Sequence, residues 1–256
     1  MKIQIISLIT ALERRQHIQN EFRKQNIEFE FFNALTANEA SPLVKKMQLN
    51  FSKEGLSSGE LACFMSHVSL WVKIINERIP YMAIFEDDVF LGDHAKYFLK
   101  NANWIQADCN ILKLEAFSKK VVVSESKAYL PDDRALHILK EAHVGAAGYI
   151  LSLKGAEYLL ELLKSIKISE PLDHILFDLK YHSTEHVWQL MPALCIQGYL
   201  YNTDNPIFDS GLEMQRIERR SKESRQRSMG TKFKRELKRL YTKIGFSLLK
   251  QDMGFR

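Results

Sequence analysis

Hydrophobic residues at the start of the chain fall into short apolar runs and one longer stretch with helical spacing. Residues 2–8 form an apolar run typical of a buried strand, and residues 28–32 alternate between polar and aromatic positions as a second strand would. Between them, Ile18 and Phe22 lie one helical turn apart within residues 13–25. A strand, a helix and a second strand within about thirty residues form a βαβ unit. The pattern therefore predicts an α/β fold with a predominantly parallel sheet.

The same two patterns continue to about residue 197. Residues 58–75 carry apolar side chains at three- and four-residue steps and are followed by Pro80, which predicts a long helix, and another helix is predicted to run through residue 163. Residues 36–55 are polar and poorly periodic, so we expect an irregular segment with one short helix. The further predicted strands are residues 81–85, 110–114, 120–123, 149–151 and 191–197.

Three consecutive carboxylates, Glu86, Asp87 and Asp88, follow the predicted strand at residues 81–85. Unpaired charges are costly to bury, so these residues are expected beyond the end of the strand. Adjacent carboxylates repel one another, and a divalent cation relieves that repulsion. Ligands of α/β proteins bind at the carboxyl ends of the strands, where such a cation would hold the phosphates of a nucleotide. The alternative interpretation is a solvated acidic turn.

Composition limits the class of protein. The chain has 256 residues, of which 46% are hydrophobic, enough to bury a full core. Cys63, Cys109 and Cys195 have no metal-type spacing and lie in apolar contexts, so we expect reduced thiols in a cytoplasmic protein. The first apolar run is too short for a signal peptide, and no run approaches the ~20 apolar residues of a membrane span.

The net charge of +5 is concentrated near the carboxyl terminus, where residues 211–256 are predicted to form a basic amphipathic helical tail. Its apolar positions share one helix face: Phe233, Leu237, Leu240, Tyr241, Ile244 and Leu248. Basic residues flank this stripe, a pattern typical of a helix lying on an anionic membrane surface. The alternative is a helix that packs on the protein's own core or on a second copy in a homodimer. A charge surplus confined to the tail argues against a nucleic-acid partner.

Four motifs occur in order along the chain. The sequence Gly-Glu-x-x-Cys-x-x-Ser-His spans residues 59–67, and Phe-Glu-Asp-Asp-Val spans residues 85–89. A loop of small residues opens the segment 145–153, and Pro-Leu-Asp-His occupies residues 171–174. In this order the motifs resemble glycosyltransferase family 25, which includes lipooligosaccharide galactosyl- and glucosyltransferases of Gram-negative bacteria and the collagen galactosyltransferases of animals. The resemblance covers residues 2–197 and, more weakly, residues 208–210.

The resemblance implies an inverting glycosyltransferase with a GT-A-like, Rossmann-type domain over residues 1–210. It also implies a UDP-hexose donor (galactose or glucose), a lipooligosaccharide core acceptor and a divalent metal, Mn²⁺ or Mg²⁺. A metal held by carboxylates would stabilise the diphosphate leaving group. An acceptor of this kind places the enzyme on the cytoplasmic face of the inner membrane.

The same resemblance assigns roles to the acidic residues. Asp88 is the leading metal ligand together with Glu86, and Glu86 or Asp87 would face the ribose or a metal-bound water. The motif is Glu-Asp-Asp where many GT-A enzymes have Asp-x-Asp, so the choice between Glu86 and Asp87 stays open. Asp173 is the candidate base for the acceptor hydroxyl. A metal or sugar contact and a helix N-cap are its alternative roles.

The remaining candidates bind the donor. The family usually has Asn-Leu after its first strand, where this chain has Ser7 and Leu8, and an arginine follows at Arg14. These three residues are expected near the nucleotide, the alternative for Arg14 being a solvated helix face. His67 belongs to the family motif and is expected at the donor site, unless it is an ordinary histidine packed within a helix. Glu60 fits a capping box with Ser57.

Two other functional classes compete with the transferase. A metal-dependent phosphohydrolase or nucleotidyltransferase also uses carboxylates at a strand end. A haloacid-dehalogenase phosphatase, however, would have its acidic motif directly after the first strand. A non-catalytic membrane- or nucleic-acid-binding adaptor would use the basic tail, but it would not need the carboxylates at residues 86–88.

Overall fold

A sheet of eight strands forms the centre of the protein in the computed structural model, which describes residues 1–52, 55–201 and 250–256. The strands are β1 (Lys2–Ser7), β2 (Glu30–Asn33), β3 (Tyr81–Glu86), β5 (Ile111–Lys113), β7 (Ala128–Leu130), β8 (Arg134–Ile138), β9 (Gly148–Ser152) and β10 (Val187–Met191). Their order across the sheet is β2-β1-β3-β9-β5-β10-β8-β7. Only β9 and β8 run against the other strands of this described sheet. The predicted mixed α/β class with a mostly parallel sheet is thus confirmed.

Two further strand pairs and seven α-helices complete the described part of the chain. Strand β4 (Val89–Leu91) pairs with β11 (Cys195–Gln197), and β6 (Lys120–Val122) pairs with β12 (Lys250–Asp252). The helices are α1 (Leu12–Lys24), α2 (Ala37–Lys46), α3 (Ser58–Asn76), α4 (Ala95–Lys100), α5 (Leu153–Ser165), α6 (Leu172–Phe177) and α7 (Gly198–Tyr201).

Strand β3 shows how the sheet separates two hydrophobic layers. Successive side chains of a strand point to opposite faces. Ile84 accordingly packs in a core cluster with residues of α3 and α5, whereas Ala83 and Phe85 pack in the cluster that contains Ile18 and Phe22 of α1. Both faces of β3 are covered by hydrophobic residues, so polar side chains of this strand are accommodated at its carboxyl end.

Helix α3 begins with the capping box that the sequence predicted. The backbone N–H of Glu60 donates to Ser57 Oγ at 3.2 Å, and the N–H of Ser57 donates to Glu60 Oε2 at 2.9 Å. This arrangement satisfies backbone donors at the helix start that have no partner within the helix. It also fixes the register that aims Cys63 and His67 at the end of β3.

The predicted strand at residues 191–197 is wrong in its bounds. The chain forms β10, leaves the sheet at Pro192 and resumes as β11. Proline has no N–H to donate to a strand ladder, which explains the interruption. The start of β10 was missed because Gln189 interrupts the apolar pattern, although this side chain is fully buried.

Most of the predicted helical tail, including its apolar stripe and the boundary at residues 210 and 211, lies outside the described residues. Its last seven residues are described and are not helical. Strand β12 pairs antiparallel with β6, Met253 is buried, and the ring of Phe255 packs edge-on against Tyr201. The guanidinium of Arg134 donates to the backbone carbonyl of Arg256. The described carboxyl-terminal residues therefore belong to the folded body.

Among the described residues, no helix combines the length and the apolar character that a membrane crossing requires.

Candidate active site

The three carboxylates predicted from the sequence form a turn at one edge of the sheet. Glu86 ends β3, and Asp87 and Asp88 make the turn into β4. The register of β1 against β3 places Ile6 beside Glu86, so both strands end at the same edge. Asp87 and Asp88 are largely buried. We call Glu86–Asp88 the acidic turn.

Arg14 supplies a positive charge to the acidic turn from α1. Its Nη1 atom donates to Asp87 Oδ1 at 2.9 Å and lies 3.8 Å from Asp88 Oδ2. Burial lowers the pKa of the Arg14 guanidinium, but the hydrogen bond to Asp87 and the three nearby negative charges outweigh burial and raise it overall. The interpretation of Arg14 as part of a solvated helix face is therefore wrong, because its charged group contacts the turn.

Gln197 was not anticipated from the sequence. Its Nε2 atom lies 3.3 Å from Glu86 Oε2 and 3.5 Å from each carboxylate oxygen of Asp88. Gln197 ends β11 and pairs with Val89, the first residue after the acidic turn. That strand pairing joins residues over a hundred positions apart, and no local pattern in the sequence indicates it.

Asp88 is poorly stabilised as an anion. Burial raises the pKa of Asp88 to about 7, and repulsion from Glu86 and Asp87 adds to the rise while Arg14 opposes it. An isolated carboxyl titrates near 3.8. A buried carboxylate with carboxylate neighbours gains most from a ligand that brings positive charge.

The donor set of the acidic turn fits a divalent cation. Oxygens of Glu86 and Asp88 converge on one partially positive group, the Gln197 amide nitrogen. Carboxylate oxygens are the ligands that Mg²⁺ and Mn²⁺ prefer. Asp88 and Glu86 could therefore hold such an ion, and their role as its ligands stays a prediction, while Asp87 is held by Arg14.

His67 lies behind the acidic turn in a chain of contacts. Its Nδ1 atom is 2.9 Å from the hydroxyl of Tyr149, which also accepts a hydrogen bond from Trp71 Nε1 at 2.9 Å. Its Nε2 atom points to Glu86 Oε1 at 3.5 Å. Burial raises the pKa of the Tyr149 phenol, so the phenol stays neutral. His67 thus lies beside the Glu86 carboxylate, and both side chains line one cleft.

Asp173 lines the same cleft as Glu86, His67 and Gln197. It lies in the first turn of α6, where its Oδ1 accepts from the backbone N–H of His174 at 3.1 Å and its Oδ2 accepts from the N–H of Gly145 at 3.2 Å. The N-cap residue is Pro171, so the interpretation of Asp173 as the N-cap is wrong. Two backbone donors hold this carboxylate in place.

Gly145 connects Asp173 to a buried ion pair. Lys113 Nζ donates to Glu115 Oε2 at 2.9 Å and to the carbonyl of Gly145, and both side chains are fully buried. Gly145 has a φ of +97°, and a Cβ atom there would lie 2.7 Å from the Phe117 ring and 2.8 Å from Glu115 Oε2. Only glycine suits this conformation and this space. We call Lys113 and Glu115 the lysine–glutamate pair, which no local pattern in the sequence indicates.

Ser7 ends β1, and Leu8 follows it at the same edge of the sheet. Ser7 is buried, whereas Leu8 is 44% exposed. Arg15 donates to the carbonyl of Leu8 from Nε and to that of Ser7 from Nη2, both at 3.0 Å, and so shapes the loop. Their predicted contact with a nucleotide stays a prediction.

Comparison with known proteins identifies the family. The model described as "Glycosyltransferase family 25 (LPS biosynthesis protein)" matches residues 1–176. The chain belongs to glycosyltransferase family 25. It is therefore a transferase enzyme, and the phosphohydrolase and adaptor interpretations are set aside.

Two relatives align over nearly the whole chain. The lipooligosaccharide biosynthesis protein lic2B of Haemophilus influenzae is 36% identical over 95% of this chain and 96% of its own length. The lacto-N-neotetraose biosynthesis glycosyltransferase LgtB of Neisseria meningitidis serogroup B is 35% identical over 95% of this chain and 93% of its own length. Mouse xyloside xylosyltransferase 1 is structurally similar over 72% of this chain and 70% of that protein, with 15% identity and a TM-score of 0.39, too distant to inform the argument.

Proposed function

We propose that this glycosyltransferase transfers a hexose, galactose or glucose, from a UDP-sugar to a lipooligosaccharide core acceptor with inversion at the anomeric carbon. The observation that carries the proposal is that Glu86 of the acidic turn and Asp173 line one cleft. The acidic turn suits the diphosphate end of a donor, and Asp173 suits the hydroxyl of an acceptor. The names of the relatives support a lipooligosaccharide acceptor.

The acidic turn is proposed to bind the donor within a GT-A-like domain. Asp88, with Glu86, would hold Mn²⁺ or Mg²⁺, which when bound would neutralise charge on the departing diphosphate. Arg14 contributes a permanent positive charge beside Asp87. Ser7 and Leu8 at the end of β1 would contact the nucleotide.

Asp173 is proposed to take the proton from the acceptor hydroxyl as the hydroxyl oxygen attacks the anomeric carbon. A single displacement of this kind inverts the configuration and needs one base. The two backbone N–H groups of Gly145 and His174 orient the carboxylate, and each of its oxygens retains a second lone pair for the hydroxyl.

A location at the cytoplasmic face of the inner membrane is part of the proposal. A lipid-linked acceptor would be presented there, and basic residues between 216 and 250 would favour an anionic surface by about 1 kcal/mol each near the lipid.

The test is release of UDP from UDP-galactose and UDP-glucose, measured with and without Mn²⁺ and with and without a short lipooligosaccharide acceptor. We expect UDP formation that needs both the acceptor and the metal, with product of inverted anomeric configuration by NMR. Glu161→Gln is a control for carboxylate substitutions in this assay. Its side chain is 80% exposed on α5, so the variant should release UDP at the wild-type rate. UDP formation independent of the acceptor, or a product of retained configuration, would contradict the proposal.

A further inference from the structure

The carboxylate of Glu86 faces two different sets of side chains. Its Oε2 atom faces Gln197 and the acidic turn, whereas its Oε1 atom lies 3.5 Å from His67 Nε2 and 3.9 Å from Cys63 Sγ. The ligand atoms of Cys63, His67 and Glu86 all lie within 4.8 Å of one another. The Cys63 sulfur and the His67 imidazole nitrogen thus lie near Glu86 Oε1, the carboxylate oxygen that does not face the acidic turn.

His67 gives an independent indication that this point binds a ligand. Its side chain is fully buried, and its Nε2 atom has no hydrogen-bond partner among the described residues. The other ring nitrogen contacts the Tyr149 hydroxyl at 2.9 Å, which fixes the ring so that Nε2 points toward Glu86. Metal-bound histidines are typically held in this way through the second nitrogen.

We propose that Cys63, His67 and Glu86 form a binding site for Zn²⁺, distinct from the hard-cation site on the acidic turn. Zinc takes thiolate, imidazole and carboxylate ligands in a tetrahedron, with bonds of about 2.0–2.3 Å that imply ligand separations of roughly 3.3–3.5 Å. The separations of 3.5 and 3.9 Å to Glu86 Oε1 are close to those values. Cys63 and His67 lie four residues apart on α3 and so project from the same helix face.

Three protein ligands leave the fourth position of the zinc open, and the cleft is lined by all three residues. Binding converts the Cys63 thiol to a thiolate and releases its proton to solvent. The cluster of Glu170, His174 and Asp178 is less suited to a cation, because Lys180 already bonds to Glu170 at 2.6 Å and to Asp178 at 3.2 Å.

The site has a consequence for activity that rests on the proposed function. Zinc at Oε1 would place a second divalent cation on the carboxylate whose Oε2 atom faces the acidic turn, and repulsion between the two cations would weaken the binding of Mn²⁺ or Mg²⁺ there. Zinc is therefore expected to inhibit a transferase that needs Mn²⁺ or Mg²⁺ at Asp88 and Glu86.

Binding is tested on the metal-free protein without donor or acceptor. Zn²⁺ affinity is measured by competition with a chromophoric chelator, and Co²⁺ is added as a spectroscopic probe. We expect one equivalent of Zn²⁺ to bind and the Co²⁺ form to show a sulfur-to-cobalt charge-transfer band. Cys63→Ser should abolish the band and weaken Zn²⁺ binding by about tenfold or more, since even the loss of outer-shell partners costs that much.

Two controls separate this site from its neighbours. Cys109→Ser removes a buried thiol in the hydrophobic cluster that contains Ile18 and Phe22. It should change neither the Co²⁺ band nor the Zn²⁺ affinity. Asp88→Asn should keep Zn²⁺ affinity within about threefold, because Asp88 is not a proposed zinc ligand. Equal Zn²⁺ affinity of wild type and Cys63→Ser would overturn the site, and so would a larger loss in Asp88→Asn than in Cys63→Ser.

Inhibition is measured afterwards in the UDP-release assay at fixed Mn²⁺. Zn²⁺ should inhibit wild type and Cys109→Ser at concentrations at least about tenfold below those needed for Cys63→Ser. Tight binding without inhibition would refute the competition for Glu86, whereas failure of the UDP-release assay in all variants would bear on the proposed function and leave the binding result intact.

Discussion

Asp88 and Glu115 are both deeply buried carboxylates, yet their surroundings differ. Glu115 accepts from Lys113 at 2.9 Å and from the N–H of Ala147 at 3.1 Å. Burial raises the pKa of Glu115, and the Lys113 charge opposes the rise. Asp88 instead lies between two carboxylates, with Arg14 at 3.8 Å and a long contact to Gln197.

The difference separates a group that holds the fold together from one prepared for a ligand. The lysine–glutamate pair has its charge balanced inside the protein and supports the loop at Gly145. The acidic turn has an excess of negative charge inside the protein, which a cation can balance. Burial alone does not distinguish these roles, because both carboxylates are buried; the balance of charge around each one does.

The difference between the two carboxylates is tested most directly at Asp88. Asp88→Asn keeps the shape but removes the negative charge, so we expect metal-dependent transferase activity to fall by about a thousandfold, comparable with losing a major electrostatic contribution. Urea unfolding should show that the fold is retained. Near-normal turnover of the variant, with or without EDTA, would contradict a metal role for Asp88.

At Lys113 the expected effect is instead a loss of stability. Lys113→Met leaves Glu115 buried without its counter-charge, which should reduce the free energy of unfolding by about 3–5 kcal/mol. Adding Glu115→Gln to that variant should recover part of the loss, and Lys154→Met, at an exposed lysine of α5, should change stability little. A loss below about 1 kcal/mol in urea unfolding would mean that the pair does not stabilise the fold.

Asp173 connects the two regions, because the loop at Gly145 that contacts the lysine–glutamate pair also donates to it. If Asp173 is the base, Asp173→Asn should lower kcat by about a hundredfold or more while the affinity for the UDP-sugar stays near wild type. Donor affinity is measured by calorimetry and kcat by UDP release. Weakened donor binding with an unchanged kcat would reassign Asp173 to substrate binding.

The smallest expected effect is on the pH dependence of stability. The folded protein holds a proton on Asp88 up to a pKa of about 7, while the unfolded chain releases it near 3.8. The metal-free protein should therefore lose stability as the pH rises through this window, by about 2 kcal/mol from pH 5 to pH 7. Asp88→Asn should remove that slope in urea unfolding, and an unchanged slope would show that Asp88 titrates normally.

Local patterns predicted much of the sheet and most of the acidic turn. The apolar run before Glu86 predicted a buried strand with the carboxylates past its end. Asp87 and Asp88 do follow β3, but both are buried there, which the sequence did not predict. Gln197 could not be predicted, because its role depends on the pairing of β11 with β4. Lys113 ends the apolar strand β5 and Glu115 follows two residues later, but only the fold shows that both are buried and paired.

Strand β12 places the basic residues of the predicted tail before a strand of the folded body. Tyr201 and residues 250–256 both pack on the body, so residues 202–249 connect two anchored points. Truncation after residue 211 would remove β12 together with the basic residues and so confuse two effects. Replacing residues 202–249 with a Gly/Ser linker of the same length would instead remove their side chains while keeping both anchored ends. Weaker binding of that variant to anionic vesicles would then report on the removed side chains and not on the loss of β12.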